Sequence, residues 1–285
     1  MAQEEGYAAL EEAALRARFR KTFQSQGRGG YLLAGAAVAL LVFGLWYLGF
    51  SLTKFAAGLL NLGNFVVLMF PPSWGESDSL LRYVKALGET VAIAFLGTML
   101  AAVIALPLSF IAARNTTVSQ VLRFLARRSF DTLRGVDTLV WALIWVNVVG
   151  LGPFAGVLAI AISDIGSFGK LFSEAIEASD RKPVEGVMAS GGSRLHAIRF
   201  GILPQVAPVL ISQYLYYFES NTRSATIIGI VGAGGIGLQL SEQIRTLEWQ
   251  TVCFIIILIL VTVSIIDLIS TRLRIAIAGT ARTTI

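Results

Sequence analysis

The sequence predicts an all-α, polytopic membrane protein of about six transmembrane helices with a polar loop on the cytoplasmic side, and three observations carry that prediction. Of its 285 residues, 55% are hydrophobic and only 14% are charged, whereas soluble globular domains hold about 25% charged residues. Apolar runs of about 20 residues, the length needed to cross a hydrocarbon core, recur along the chain. Lysines and arginines collect at the ends of those runs, as orientation in a bilayer requires. The basic balance, a formal net charge of +5, therefore points to a membrane and not to nucleic acid. Cys253 is the one cysteine and His196 the one histidine. Neither an intrachain disulfide nor a zinc cluster can be assembled from them, and no cofactor or metal is expected.

Residues 1–30 are polar, and Leu15, Phe19 and Phe23 recur every four residues among Arg16, Arg18, Arg20 and Lys21. That spacing predicts a cytoplasmic amphipathic helix on the inner membrane surface. The run 31–50 is too long for the apolar region of a signal peptide and no small-residue cleavage site follows it, so it is expected as the first transmembrane helix. With Lys54, Pro71, Pro72, Trp74, Glu76 and Asp78, residues 51–80 read as an extracytoplasmic loop.

A core of helices is expected over 81–275. Its first member, 81–113, contains Gly88, Gly97 and Pro107 and is predicted to tilt or kink. Arg114, Arg123, Arg127 and Arg128 mark a basic loop after it. Spans follow at 132–149 and 154–172, joined by the tight turn Gly150, Leu151, Gly152, Pro153. A polar segment, 174–204, precedes a span at 202–217. A glycine-rich stretch then leads to a last span at 251–269 and a cytoplasmic tail over 276–285. Of the 23 lysines and arginines, all but Lys54, Arg82, Lys85, Arg223 and Arg245 fall on one side of this arrangement. Both termini and the 174–204 segment are therefore expected to be cytoplasmic.

Within 174–204, Pro183 fits a first helical turn and predicts a short helix over 183–190. The Gly191-Gly192 pair ends it and Ser193 caps the next helix. Val184, Val187 and Met188 fall at i, i+3 and i+4, a small apolar face on an otherwise polar helix. Spacing alone allows two partners for that face: another protein, or lipid head groups met by Arg181, Lys182, Arg194 and Arg199. The segment resembles the coupling loop of ABC-importer permeases, whose pattern is Glu-Ala-Ala, three residues, Gly, nine residues, Ile, one residue, Leu-Pro. Glu185 opens the match, Gly191 follows at the right distance and Leu203-Pro204 close it. Gly186 and Val187 stand where two alanines are usual, and Gly201 takes the isoleucine position with Ile202 one place late.

Gly232, Gly234 and Gly237 match G-x-G-x-x-G, but a dinucleotide site needs an acidic residue about 20 positions on, which here falls in an apolar run. Gly232, Gly234, Gly235 and Gly237 are read instead as a bend that lets helices approach closely at the membrane edge. The block 218–237 containing them, together with 140–177, closely resembles the phosphonate-importer permeases of bacterial ABC systems, over about residues 81–275. What that resemblance implies is a permease subunit without an ATPase site of its own. It would work with cytoplasmic ABC ATPase subunits, an extracytoplasmic substrate-binding protein and a second permease copy, and carry phosphonate, phosphate or phosphite. Val184, Glu185, Gly186, Val187, Met188, Gly191, Leu203 and Pro204 would then transmit ATPase movement to the spans.

Arg223 is a charge at membrane depth, where insertion costs about 2.5 to 3.5 kcal/mol, so it is expected to face a cavity or a partner. One reading pairs it with Glu219 as an ordinary i, i+4 ion pair worth about 0.2 to 0.5 kcal/mol. The other has Arg223, helped by Asn221, Ser224 and Thr226, favour an oxyanion in the translocation path, with Glu219 moderating the attraction. Asp164 is an acidic residue within an apolar run to which the pattern assigns no role. A membrane hydrolase would need a nucleophile with a base, or a metal cluster, which one histidine, one cysteine and scattered carboxylates do not supply. A passive anion channel lined by Arg223 and Lys170, or a permease for another small solute, remains the alternative function.

Overall fold

A computed structural model describes residues 30–75 and 77–282, and every regular element among them is helical. The amphipathic helix expected before residue 30 lies outside them. The chain divides into two units, Met1–Val67 and Leu68–Ile285.

In the first unit, α1 (Gly30–Tyr47) has 18 residues and is long and apolar enough to span a membrane. The expected loop over 51–80 is instead largely a helix, α2 (Leu52–Leu68). Its sequence LTKFAAGLLNLGNFVVL carries a single charge. The loop signals Pro71, Pro72 and Trp74 all follow its end, where they stop the helix without preventing it.

The second unit holds α3 (Ser77–Ala112), α4 (Gln120–Arg134), α5 (Thr138–Val149), α6 (Pro153–Glu177), α7 (Arg181–Ala189), the short α8 (Arg194–His196), a π-helical turn (Ala197–Ile202), α9 (Leu203–Ile230), α10 (Ile236–Arg245) and α11 (Trp249–Arg282). Among the described residues of the whole chain, α1 included, five helices are long and apolar enough to cross a bilayer, or six if the bent pair α4–α5 counts as one span. Where one span was expected over 132–149, α4 and α5 meet at 87°. Gly135 ends α4, and the Asp137 carboxylate caps α5 by accepting from the Leu139 amide at 2.8 Å. The basic loop of the sequence reading is thus mostly helix α4, with Arg123, Arg127 and Arg128 on it. Helices α9 and α11 both run well past the predicted spans.

The core of this unit is α3 against α6, running in the same direction. Ile93 and Gly97 lie against Gly156 and Ile160 near one end, and the Arg114 amide meets Glu177 at the other. Small residues make the approach possible: a Cβ on Gly97 would sit 2.8 Å from Ile160. That is how membrane helices gain van der Waals contact where lipid offers no hydrophobic drive. Ala101, Ala105, Phe168, Phe172, Ile176 and Val206 form one buried cluster, and Ile93, Ala159, Ile160, Ala225 and Ile228 another. Large side chains such as Phe95, Met99, Val103, Ile257 and Leu260 are exposed and give this unit an apolar outer surface.

Candidate functional site

Helix α7 starts two residues before the predicted Pro183, because the Asp180 carboxylate accepts from the Lys182 amide at 3.2 Å and caps it. Gly191, at φ +85°, adopts the left-handed conformation that ends the helix at low cost to glycine. Ser193 caps α8 as expected, its Oγ accepting from the His196 amide at 3.5 Å, and an unforeseen return bond from the Ser193 amide to His196 Nδ1 at 3.3 Å completes a capping box.

The apolar face of α7 is largely used within the chain. Val184 packs against the buried α3–α6–α9 cluster and lies over Gly201, where a Cβ would come within 3.0 Å of the Val184 Cα. Val187 closes over Gly192. Met188, 46% exposed, is the part of that face left open, beside a cavity of about 270 Å³ lined by Asn115, Thr117, Val184, Arg194 and Ile202. Glu185 and Gly186 are exposed on the other side, and Leu203 and Pro204 begin α9 at the surface. Ile202, 3% exposed, supplies the buried side chain, while Gly201 makes room for α7.

Because nothing lies within 4 Å of a Cβ at Gly186, Gly186→Ala should tighten α7 by about 1 kcal/mol through helix propensity alone. Hydrogen exchange should then show α7 amides protected roughly fivefold more than in the parent. Unchanged exchange would mean that α7 is held by its packing and not by propensity.

Two polar anchors escaped the sequence reading. The Gln205 amide accepts from Asp180 N at 3.0 Å and donates to Asp180 O at 3.1 Å and to Gly201 O at 2.5 Å. It ties the starts of α7 and α9 to the π-turn. Glu177, at the end of α6, accepts from Arg114 N at 2.6 Å, Arg127 Nη2 at 2.9 Å and Arg123 Nη2 at 3.4 Å. Neither residue belongs to a pattern; each was placed by a contact distant in sequence.

The residues proposed for the path separate onto different faces of α9. Arg223 Nη1 donates to Glu219 Oε1 at 3.2 Å, and Arg274 Nη2, from α11, donates to Glu219 Oε2 at 3.0 Å. Arg274 also rests over the Tyr216 ring, 5.8 Å from its centroid. Asn221 does not join Arg223: it is buried on another face, donating to Asp164 Oδ2 at 2.5 Å and Thr98 Oγ1 at 2.8 Å. A side chain two places from Arg223 on a helix points about 200° away, so the two cannot hold one anion together. Ser224 and Thr226 bond back to the Ser220 and Thr222 carbonyls of their own helix. Asp164 thus gains a partner, in a polar pin joining α3, α6 and α9.

Gly232, Gly234 and Gly235 all take positive φ in the turn between α9 and α10, the bend read from the sequence. Gly237 is required by space: a Cβ there would overlap the Thr226 carbonyl oxygen. The Gly235 amide is 3.3 Å from Glu89 Oε1, and Ile236 N donates to Thr90 Oγ1 at 2.8 Å. These α3 side chains cap α10 and account for a carboxylate at Glu89, where the helix amino terminus favours negative charge. A cavity of about 450 Å³ opens at this end, lined in part by Leu151, Gly232, Ser241, Glu242 and Arg245.

Comparison with known proteins places this architecture. HtxC of Stutzerimonas stutzeri, a permease named for a phosphite transport system, is 43% identical over 238 residues, covering 83% of each chain. The phosphite transport system permease protein PtxC of the same species is 35% identical over 240 residues, covering 82% of this chain and 86% of that one. A chain of the inward-facing MetNI methionine ABC transporter shares the fold, with a TM-score of 0.60 at 18% identity over 71% of this chain and 99% of that one. The family model for the binding-protein-dependent transport system inner membrane component matches residues 105–275. From α3 to α11, therefore, this chain belongs to the family of binding-protein-dependent transport system inner membrane components and is a multi-pass transport subunit.

Proposed function

We propose that the chain is the permease subunit of an ATP-driven importer for phosphite or a related phosphorus oxyanion, phosphonate and phosphate included. The observation that carries the anionic substrate is the group Arg223, Glu219 and Arg274: two guanidinium groups share one carboxylate, leaving net positive charge at membrane depth. The relatives named for phosphite transport support the phosphorus class. Cytoplasmic ATPase subunits hydrolyse ATP and dock on the open side of α7, at Glu185, Gly186 and Met188. Val184, Val187, Gly191, Leu203 and Pro204 seat that helix on the spans. An extracytoplasmic binding protein delivers substrate at the glycine-turn end, where Gly232, Gly234, Gly235 and Gly237 shape the opening. A second permease copy, a homodimer in the simplest assembly, completes the path. Both termini lie in the cytoplasm, as the distribution of basic residues favours.

Inverted membrane vesicles cannot test this, because substrate enters from the binding-protein side. Right-side-out vesicles holding the complete importer should accumulate radiolabelled phosphite only with internal ATP. Accumulation without ATP, or ion conductance by the isolated chain, would favour a channel. Arg223→Gln keeps donors but removes the charge. It should lower uptake at least tenfold, equivalent to the roughly 1.5 kcal/mol or more of a charge-assisted hydrogen bond, with capture by the separate binding protein intact. Unchanged uptake at normal expression would remove Arg223 from the path.

A further inference from the structure

The middle of the open side of α9 is polar, whereas Val209, Ile227 and Ile230 are exposed and apolar towards its two ends. Gln213, Tyr216, Ser220 and Arg223 recur at spacings of three and four along one stripe, with Tyr216 52% exposed and the Arg223 side chain 49% exposed. Polar groups on one stripe of a membrane helix line water or a partner, because hydrocarbon leaves them unsatisfied. Arg274 reaches this stripe from α11. Its guanidinium lies over Tyr216, bonds Thr271 Oγ1 at 3.0 Å and meets Glu219 at 3.0 Å. The Glu219 side chain, only 9% exposed, holds one arginine on each carboxylate oxygen.

We propose that Arg274 is a second anion-holding residue of the path and that Glu219 is a resident counter-anion, which a passing phosphorus oxyanion displaces from Arg223 and Arg274. This rests on the importer reading above. Two guanidinium groups without a carboxylate would hold a doubly charged oxyanion too firmly for it to leave. With Glu219 between them, the ligand must compete for donors already engaged, so attraction is sufficient for entry and weak enough for release. The same arrangement discriminates by charge: a neutral solute gains nothing by displacing a carboxylate. Guanidinium forks, with five donors each, can offer their free N–H groups to the arriving oxygens before Glu219 is released.

The test uses the complete importer in right-side-out vesicles with radiolabelled phosphite, comparing the unaltered complex with Glu219→Gln and Arg274→Gln. Glu219→Gln should slow uptake about tenfold, retain phosphite on the solubilised complex after the binding protein is washed away, and make uptake at least fivefold more sensitive to sulfate. Arg274→Gln should lose most uptake, Arg274→Lys should recover only part of it, and adding Arg274→Gln to Glu219→Gln should abolish the retained phosphite. A purely structural ion pair would change yield or melting temperature without moving retention or sulfate sensitivity. If Glu219→Gln assembles and matches the parent in both readouts, the counter-anion role is overturned while ATP-dependent phosphite uptake by the parent leaves the importer reading standing. If Glu219→Gln fails to assemble, Arg274→Gln decides, and unaltered uptake and retention in it overturn the proposal. Absence of phosphite uptake by the parent overturns both.

Discussion

Replacing Asn221 with leucine is expected to destabilise the protein by about 3 kcal/mol, since it removes the donor to a buried carboxyl group. Asp164 and Asn221 are each 5% exposed and Thr98 is fully buried. Asn221 gives both of its amide hydrogens, one to Asp164 Oδ2 and one to Thr98 Oγ1. Thr98 keeps a bond of its own, donating to the Ala94 carbonyl at 2.7 Å. The loss therefore falls on Asp164, which is left inside the helix bundle without that donor. For a domain of this size the change should lower the melting temperature of the purified complex by roughly 6 to 12 °C. Adding Asp164→Leu to Asn221→Leu should recover most of it, because two apolar groups in place of a pair cost much less than one stranded partner. A fall of under about 2 °C in the single variant would show that the carboxyl finds another donor among its neighbours.

Gly201→Leu is expected to abolish most transport while leaving the spans folded. A Cβ at 201 would stand 3.0 to 3.2 Å from the Val184 backbone and side chain, and a leucine adds three more carbons beyond it. Overpacking of this kind costs about 1 to 3 kcal/mol, and the strain is relieved most cheaply by lifting α7 off the π-turn. If α7 carries the ATPase movement, phosphite uptake should fall at least tenfold, about 1.4 kcal/mol of lost coupling, with ATP hydrolysis continuing. Uptake at the parental rate, with the variant expressed normally, would show that the seating of α7 on Gly201 plays no part in coupling.

The membrane class, the number of crossings and the glycine bend were legible because they rest on local signals: apolar length, and glycine where φ must be positive. The helix at α7 was legible for the same reason, being bracketed by Asp180, Pro183 and Gly191. What could not be read was whatever depends on a partner distant in the chain. Arg274 looked like one of several basic residues after the last span, and only the packing of α11 on α9 brings it to Glu219. Asn221 was grouped with Arg223 by proximity in sequence, which on a helix separates side chains instead of uniting them. The loop over 51–80 was misread because its prolines and acidic residues cluster near one end, and they outweighed the apolar residues of α2.

The two anchors on α9 have a mechanical consequence. Gln205 fastens the start of the helix to α7, and Asn221, sixteen residues further, pins its middle to α3 and α6. The distance between them is about 24 Å at 1.5 Å per residue, and from the pin to Ile230 about 14 Å. A helix held in this way is a lever with its fulcrum at the pin, and Pro208 between the two anchors is the place where it bends most easily. Displacing its α7 end by about 3 Å swings the glycine-turn end on the order of 2 Å in the opposite direction. To the extent that the helix moves as one body, one stroke applied below would thus narrow one mouth as it widens the other.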